Sequence, residues 1–62
     1  MFIKVKGEKN EDLLVNVSQI KFITPFSKGN GCFIDFGADI YIRSNTSITD
    51  VEKMLMERED TE

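Results

Sequence analysis

The stretch CFIDFGADIYIR, residues 32–43, shows the clearest secondary-structure pattern in the chain. Apolar side chains alternate with other residues on both sides of a Gly-Ala-Asp corner, and this period of two is typical of β-strands. A two-residue loop would place apolar residues opposite polar ones, whereas a three-residue loop at 37–39 pairs apolar with apolar. We therefore predict a hairpin with the three-residue loop. Its predicted facing pairs are Phe36 with Ile40, Ile34 with Ile42, Asp35 with Tyr41, and Phe33 with Arg43.

Three further strands are predicted before this hairpin. Residues 1–6 alternate with Ile3 and Val5 on one side, residues 13–15 form a short apolar run, and residues 20–26 supply the third strand. The intervening NVSQ at 16–19 predicts a tight turn or a single 3₁₀ turn, because Asn and Ser side chains bond nearby backbone amides. Pro25 has no N–H, so the third strand must end, bulge or turn that position outward there.

The register of the third strand depends on the glycine-containing loop that follows it. If Gly29, Asn30 and Gly31 close the turn, Phe26 lies opposite Ile34. This register predicts three core-facing side chains: Ile20, Phe22 and Phe26. It leaves Ile23 on the opposite face, beside Phe33.

A helix is predicted after the hairpin. Ser47 is the expected N-cap, with Asp50 at the third helical position, while Thr49 with Glu52 is a competing capping box two residues later. The apolar stripe that should face the sheet consists of Ile48, Val51, Met54 and Leu55. The helix is predicted to fade after Arg58.

These elements predict the α+β class: a small antiparallel sheet of four or five strands, open or curled like a barrel, with one C-terminal α-helix. We expect one domain at residues 1–58 and a frayed acidic tail at 59–62. A chain this short buries only about 60% of its unfolded surface, so the core should be thin.

One helix can cover one sheet face, yet the alternation loads the other face with apolar side chains. Two explanations follow: an interface with a second copy or another protein, or a curled sheet with a second small core. The predicted partner-binding residues are Phe2, Leu14, Ile23, Phe33, Tyr41 and Arg43.

Composition limits the chemistry that the chain can perform. It has no His, which excludes Ser-His-Asp and Cys-His nucleophiles and imidazole zinc sites. Cys32 is predicted to be a core residue, Asp35 and Asp39 to serve the hairpin turn, and the 29–31 loop to be an ordinary turn. We expect no catalytic residue, metal or cofactor, and therefore no enzyme.

Charge and hydropathy bear on partners and location. Residues 1–49 carry six cations and five acids, whereas residues 50–62 carry six acids and two cations. No basic stripe of the kind that binds duplex nucleic acid is visible. No apolar run reaches the ~20 residues needed to cross a bilayer, so we expect no membrane partner and a cytoplasmic protein.

The order of short strings along the chain resembles the small bacterial flagellar and swarming-motility proteins called FlbD-like. The strings are NVSQI at 16–20, FIDFG at 33–37, IYIRS at 40–44 and SITDVEKML at 47–55. The chain also resembles the first half of a LytTR domain, the β-rich DNA-binding module of response regulators. Neither resemblance implies catalytic residues.

The leading functional hypothesis is a non-enzymatic, oligomeric regulatory module that binds protein through its second sheet face or an exposed strand edge. One alternative is a nucleic-acid-binding regulator, because Phe33, Tyr41 and Arg43 could stack single-stranded bases. Another is a phage or mobile-element protein that binds and inhibits a host factor.

Overall fold

The strands of this chain form two antiparallel sheets, which are followed by one helix. The computed structural model describes residues 1–60, and the side chains of the helix as far as Glu57. The elements are β1 (Phe2–Lys6), β2 (Asp12–Asn16), a 3₁₀ turn (Val17–Gln19), β3 (Phe22–Pro25), β4 (Cys32–Gly37), β5 (Ile40–Ser44) and α1 (Ile48–Asp60). The sheets have the orders β1-β2 and β3-β4-β5. The predicted α+β class is confirmed, and the described strands do not close into a barrel.

The two-stranded sheet follows the alternation in the sequence. Ile3 lies opposite Val15 and Val5 opposite Leu13, and this face packs into the core. Lys4 lies opposite Leu14 on the other face. Asn16 caps the 3₁₀ turn through its side chain, which accepts the N–H of Ser18, so the predicted turn is confirmed.

The hairpin of β4 and β5 is confirmed in three of its four predicted pairs. Those pairs are Phe33 with Arg43, Ile34 with Ile42, and Asp35 with Tyr41. The three-residue loop was wrong: Gly37 faces Ile40, and a register shift between Asp35 and Gly37 leaves Phe36 as the extra residue. Ala38 and Asp39 form the turn with φ of 53° and 64°, and two successive positive φ values suit the twist of a tight hairpin.

The predicted register of β3 against β4 was wrong. Ile23 lies opposite Ile34, and Phe22 lies opposite Asp35. The N–H of Phe26 donates to the carbonyl of Gly31, so four residues, not three, form the connection. The resulting shift is odd, and an odd shift turns each side chain to the other face. Ile23 therefore enters the core, while Phe22 and Phe26 leave it.

Ser44 joins the two sheets where the end of β1 meets the end of β5. It forms an isolated antiparallel bridge with Gly7 and is fully buried. Its hydroxyl donates to the carbonyl of Lys6 and accepts the N–H of Thr46. The N–H of Asn45 donates to the same Lys6 carbonyl, and the N–H of Lys6 donates to Thr46 Oγ1. This network connects the end of β1 to the segment that leads into α1.

Helix α1 begins as predicted. The N–H of Asp50 donates to Ser47 Oγ at 3.1 Å, which confirms Ser47 as the N-cap, a contribution of about 1 kcal/mol. Val51 is fully buried, and the rest of the predicted stripe packs against the core. The helix ends at Asp60, two residues beyond the predicted end, and the remainder of the predicted tail, residues 61–62, lies outside the described residues.

The buried apolar core is small, as expected for a chain of this length. Its members come from both sheets and the helix: Ile3, Val5, Val15, Cys32, Ile34 and Val51. The aliphatic row Ile23, Ile34 and Ile42 crosses the three-stranded sheet on its core side. Among residues 1–60, no helix covers the opposite face of either sheet.

Candidate binding surface

The six side chains predicted to bind a partner do not share one face, because the strands divide between two sheets. Phe33, Tyr41 and Arg43 lie together on the outer face of the three-stranded sheet. Phe2 and Leu14 lie on the outer face of the two-stranded sheet. Ile23 packs against the core, so the prediction that it lies on the second face was wrong.

The outer face of the three-stranded sheet carries a cluster of aromatic rings, which we call the aromatic face. It consists of Phe22, Phe26, Phe33, Tyr41 and Arg43. The Phe33 ring contacts the Phe26 and Tyr41 rings edge to face, with centroids 4.8 and 5.8 Å away. The Arg43 guanidinium carbon lies 5.5 Å from the Phe33 centroid. Phe33 is thus the centre of the cluster.

These contacts hold the Phe33 ring in place, while the rings of Phe22 and Tyr41 remain exposed to solvent. Each edge-to-face pair contributes about 0.5–1.5 kcal/mol, and a cation–π contact at an exposed site about 0.5–1 kcal/mol. Phe33 is half-buried among its neighbours, whereas Phe22 and Tyr41 are 59% and 52% exposed. Their exposure means that no described element covers this part of the sheet. The aromatic face therefore combines a fixed centre with accessible rings on both flanking strands.

Charged groups border the aromatic face without forming a single-sign field. Arg43 Nη1 lies 3.7 Å from Glu8 Oε2, and both side chains are more than half exposed, so this ion pair adds little stability. Asp35 lies between Phe22 and Tyr41 in the strand pairing. Its carboxylate accepts the N–H of Gly37 at 2.7 Å, a bond that braces the hairpin bulge. The face therefore carries cationic and anionic groups.

A shallow hollow opens at the loop end of the aromatic face. Its volume is ≈ 190 Å³, and its lining residues are Phe26, Ser27, Lys28, Phe33 and Arg43. Two ring surfaces and two cations thus line one depression. Such a depression can receive a flat or an anionic group.

A larger cleft lies between the two sheets. Its volume is ≈ 690 Å³, and it runs from the β1–β2 turn, at Gly7 to Glu11, to Tyr41 and Arg43 on β5. Leu13 and Ile42 form its apolar floor, and both pack against the core. The cleft lies where the two sheets separate, next to the bridge between Gly7 and Ser44.

Sequence reasoning missed Phe22 and Phe26 as members of the aromatic face, because it placed both in the core. A usable signal was present in the isoleucines. Ile23, Ile34 and Ile42 form one continuous aliphatic row only in the observed register. Pairing β-branched residues across all three strands would have predicted that row and turned Phe22 outward.

The remaining candidates for chemistry have structural roles. Cys32 is fully buried, and its burial raises the pKa of the thiol above its ordinary value. Asp39 belongs to the β4–β5 turn, and Gly31, with φ of 120°, lies close to the backbone of β5. Within residues 1–60, no three His, Cys, Asp or Glu side chains are grouped so that they could hold a metal ion.

Comparisons with family models, curated proteins and solved structures found no match for this chain. The structure also bears on membrane insertion. In the part of the chain that it describes, no helix has both the length and the apolar character needed to cross a bilayer.

Proposed function

We propose that this chain is a non-enzymatic binding module whose aromatic face docks on a partner protein. The observation that carries the proposal is the exposure of Phe22 and Tyr41 on the two strands that flank β4, which carries the fixed Phe33 ring. Aromatic residues and Arg are enriched where protein interfaces concentrate their binding energy. Here both types occur together on one sheet face.

The arrangement suits a binding site better than an ordinary surface. Single exposed apolar residues are normal, but a contiguous aromatic group is typical of an interaction surface. Phe33 supplies a ring whose orientation is already set, so little side-chain entropy is lost when a partner contacts it. Tyr41 adds a hydroxyl at the edge, where a polar rim would form.

Edge pairing through β3 is a weaker means of binding. The N–H of Phe26 points toward β4 and donates to the carbonyl of Gly31. Backbone N–H groups alternate in direction along a strand, so at the preceding Pro25 a backbone donor would point away from β4, to the open edge. Pro25 has no such donor, and Pro on an edge strand opposes the addition of another strand. The proposal therefore rests on the aromatic face and not on the β3 edge.

Site-specific photo-crosslinking tests this proposal. A benzophenone amino acid replaces Tyr41 in one variant and Met56 in a second, and the native host is irradiated. Met56 is a matched control because it is 58% exposed but lies on α1. We expect a discrete protein adduct from position 41 that is missing from position 56, and a several-fold lower yield when Phe22→Ser is added. Identical adduct patterns at both positions, or no adduct at position 41, would contradict the proposal.

A second candidate function is binding of single-stranded nucleic acid, which the hollow between Lys28 and Arg43 favours. Base stacking on an aromatic ring contributes about 1–3 kcal/mol, and nearby cations contact phosphates. Fluorescence anisotropy with a labelled single-stranded oligonucleotide tests it. Binding should weaken steeply with salt and fall further in Lys28→Ala. A flat titration at low salt would end this candidate.

We also propose a cytoplasmic setting and a bacterial family. A reducing cytoplasm suits a chain whose one cysteine, Cys32, is free and buried. Kinship with FlbD-like proteins rests on the strings at 16–20, 33–37, 40–44 and 47–55, and it stays a prediction.

A further inference from the structure

The outer edge of β2 combines an open backbone with an exposed apolar side chain. Among the described residues, β2 pairs with β1 alone, so its other edge faces no strand. Leu14, at the centre of β2, is 69% exposed, more than any other large apolar side chain described. Phe2 is 52% exposed and is its diagonal neighbour on the same sheet face. The edge and the adjoining face are thus both open.

The hydrogen bonds of the hairpin show which backbone groups point outward. The N–H of Val17 donates to the carbonyl of Met1, and the N–H of Gly7 donates to the carbonyl of Glu11. Bonded positions alternate along an antiparallel ladder, so Val15 and Leu13 also bond inward to β1. The residues with outward N–H and C=O groups are therefore Asp12, Leu14 and Asn16.

The β2 edge lacks the features that protect other edges of this protein. Edge strands are commonly blocked by Pro, Lys, a bulge or a covering element. Edge strand β3 contains Pro25, and β1 carries Lys4 and Lys6 while its end bonds to the segment after β5. In contrast, β2 reads DLLVN, with no Pro, no Lys and no bulge in its register. Its only charge, Asp12, is paired with Lys6 Nζ at 2.6 Å.

We propose that a second copy of this chain adds to the β2 edge, antiparallel, with a two-fold axis at Leu14. The axis places Asp12 opposite Asn16 of the second copy, so no like charges face each other across the new ladder. Leu14 meets Leu14 of the second copy, and each facing pair of outward residues can exchange both backbone hydrogen bonds. The strand is therefore self-complementary, as a two-fold interface requires.

The same pairing also enlarges a hydrophobic surface. It creates a four-stranded sheet in which the two Leu14 and two Phe2 side chains share one face. Such a contact is smaller than the ~1,600 Å² of a standard interface, so we expect a reversible dimer with a dissociation constant on the order of micromolar. The aromatic face lies on the other sheet and takes no part in this contact.

Sedimentation equilibrium of the whole chain, from about 1 to 500 μM, tests the association. We expect a monomer–dimer equilibrium in the native chain. Leu14→Pro removes an outward N–H that β1 does not use, and it should weaken the dimer at least tenfold while far-UV circular dichroism stays native. Leu14→Lys keeps the N–H but sets like charges opposite each other, and it should weaken the dimer as much even if the Pro variant fails to fold. Met56→Lys, which introduces the same charge on α1, should leave the equilibrium unchanged.

Cysteine crosslinking tests the register. Directly opposed bonded residues have Cα atoms about 5.5 Å apart and Cβ atoms near the upper end of about 4.5–5.5 Å; this exceeds the about 3.5–4.5 Å between Cβ atoms in a disulfide but lies within reach of a short bifunctional thiol reagent. Leu14→Cys should therefore form a covalent dimer with such a reagent. Lys4→Cys, one strand further from the axis, should not, and the native chain with its buried Cys32 supplies the baseline.

Two results would overturn the proposal. One is a native chain that remains monomeric across the concentration range. The other is a dimer that persists unchanged in a folded Leu14→Pro or Leu14→Lys variant, since association would then use another surface. Neither result changes the adducts expected from position 41, so the outcomes for the two proposals are separable.

Discussion

Substitution of Ser44 by Ala should destabilise the fold by more than its small change in volume suggests. Ser44 is fully buried at the junction of the two sheets. Its Oγ donates to the Lys6 carbonyl at 2.7 Å and accepts the Thr46 N–H at 3.1 Å. Ala removes both hydrogen bonds and leaves the backbone in place.

The two hydrogen bonds are unequal in their consequences. The Lys6 carbonyl still accepts the N–H of Asn45 at 2.9 Å, so its loss is the net value of one bond, about 1 kcal/mol. The Thr46 N–H is left in a partly buried place without that acceptor, which adds about 1 kcal/mol at the low end of the range for an unsatisfied donor. We expect Ser44→Ala to lower the free energy of unfolding by about 2 kcal/mol. For a chain of this size, the corresponding fall in Tm is about 8–16 °C.

Urea denaturation followed by circular dichroism measures this change. Ser27→Ala is a suitable control because Ser27 is exposed in the β3–β4 loop, and its change should stay within about 0.5 kcal/mol. The m-value should be the same in both variants if only stability changes. A loss below about 0.5 kcal/mol in Ser44→Ala would refute the assignment of Ser44 as the connection between the sheets.

Three further predictions follow from particular residues. Gly31→Ala should destabilise the fold more than Gly29→Ala, although both residues have positive φ. A Cβ at Gly31 would lie 2.5 Å from a backbone oxygen of β5, whereas nothing lies within 4 Å of a Cβ at Gly29. Thermal unfolding of the two variants checks this, and equal losses would contradict it. The hydrogen bond from Lys6, followed by its charge, lowers the pKa of Asp12 below its ordinary value of 3.8. The stabilisation from this ion pair is therefore present above that value and is lost as the pH falls through the lowered pKa of the folded state. As a result, the free energies of unfolding of Asp12→Asn and the native chain should differ at neutral pH and converge in acid. The rate at which Cys32 reacts with a thiol reagent should be limited by local unfolding, because the thiol is buried and its pKa is raised. Rapid labelling of the native fold would contradict the buried position of Cys32.

Local patterns predicted much of the fold. The alternation around residues 32–43 correctly paired Ile34 with Ile42 and Phe33 with Arg43, because side-chain parity within a hairpin depends on adjacent residues. The N-cap at Ser47 was equally predictable, because a hydroxyl three residues before an N–H needs no distant partner. Phe33, Tyr41 and Arg43 came together as predicted, since one hairpin contains all three.

Longer-range features were not predictable in the same way. The β3–β4 connection has four residues, and one residue more or fewer exchanges the faces, so Ile23 moved inward and Phe22 outward. The β4 bulge converted the expected loop into a two-residue turn. The division into two sheets then separated Phe2 and Leu14 from the aromatic face.

Strands and helix could be located from neighbouring residues alone, because periodicity, capping and turn chemistry act between residues that are close along the chain. The buried faces and the junction of the sheets depend instead on contacts between distant segments. In the sequence, Ser44 does not differ from the other polar residues near it. It is fully buried because it pairs with Gly7 and donates a hydrogen bond to Lys6, which are both distant along the chain. Contacts between distant segments depend on strand register and loop length together, and a difference of one residue in either changes the result.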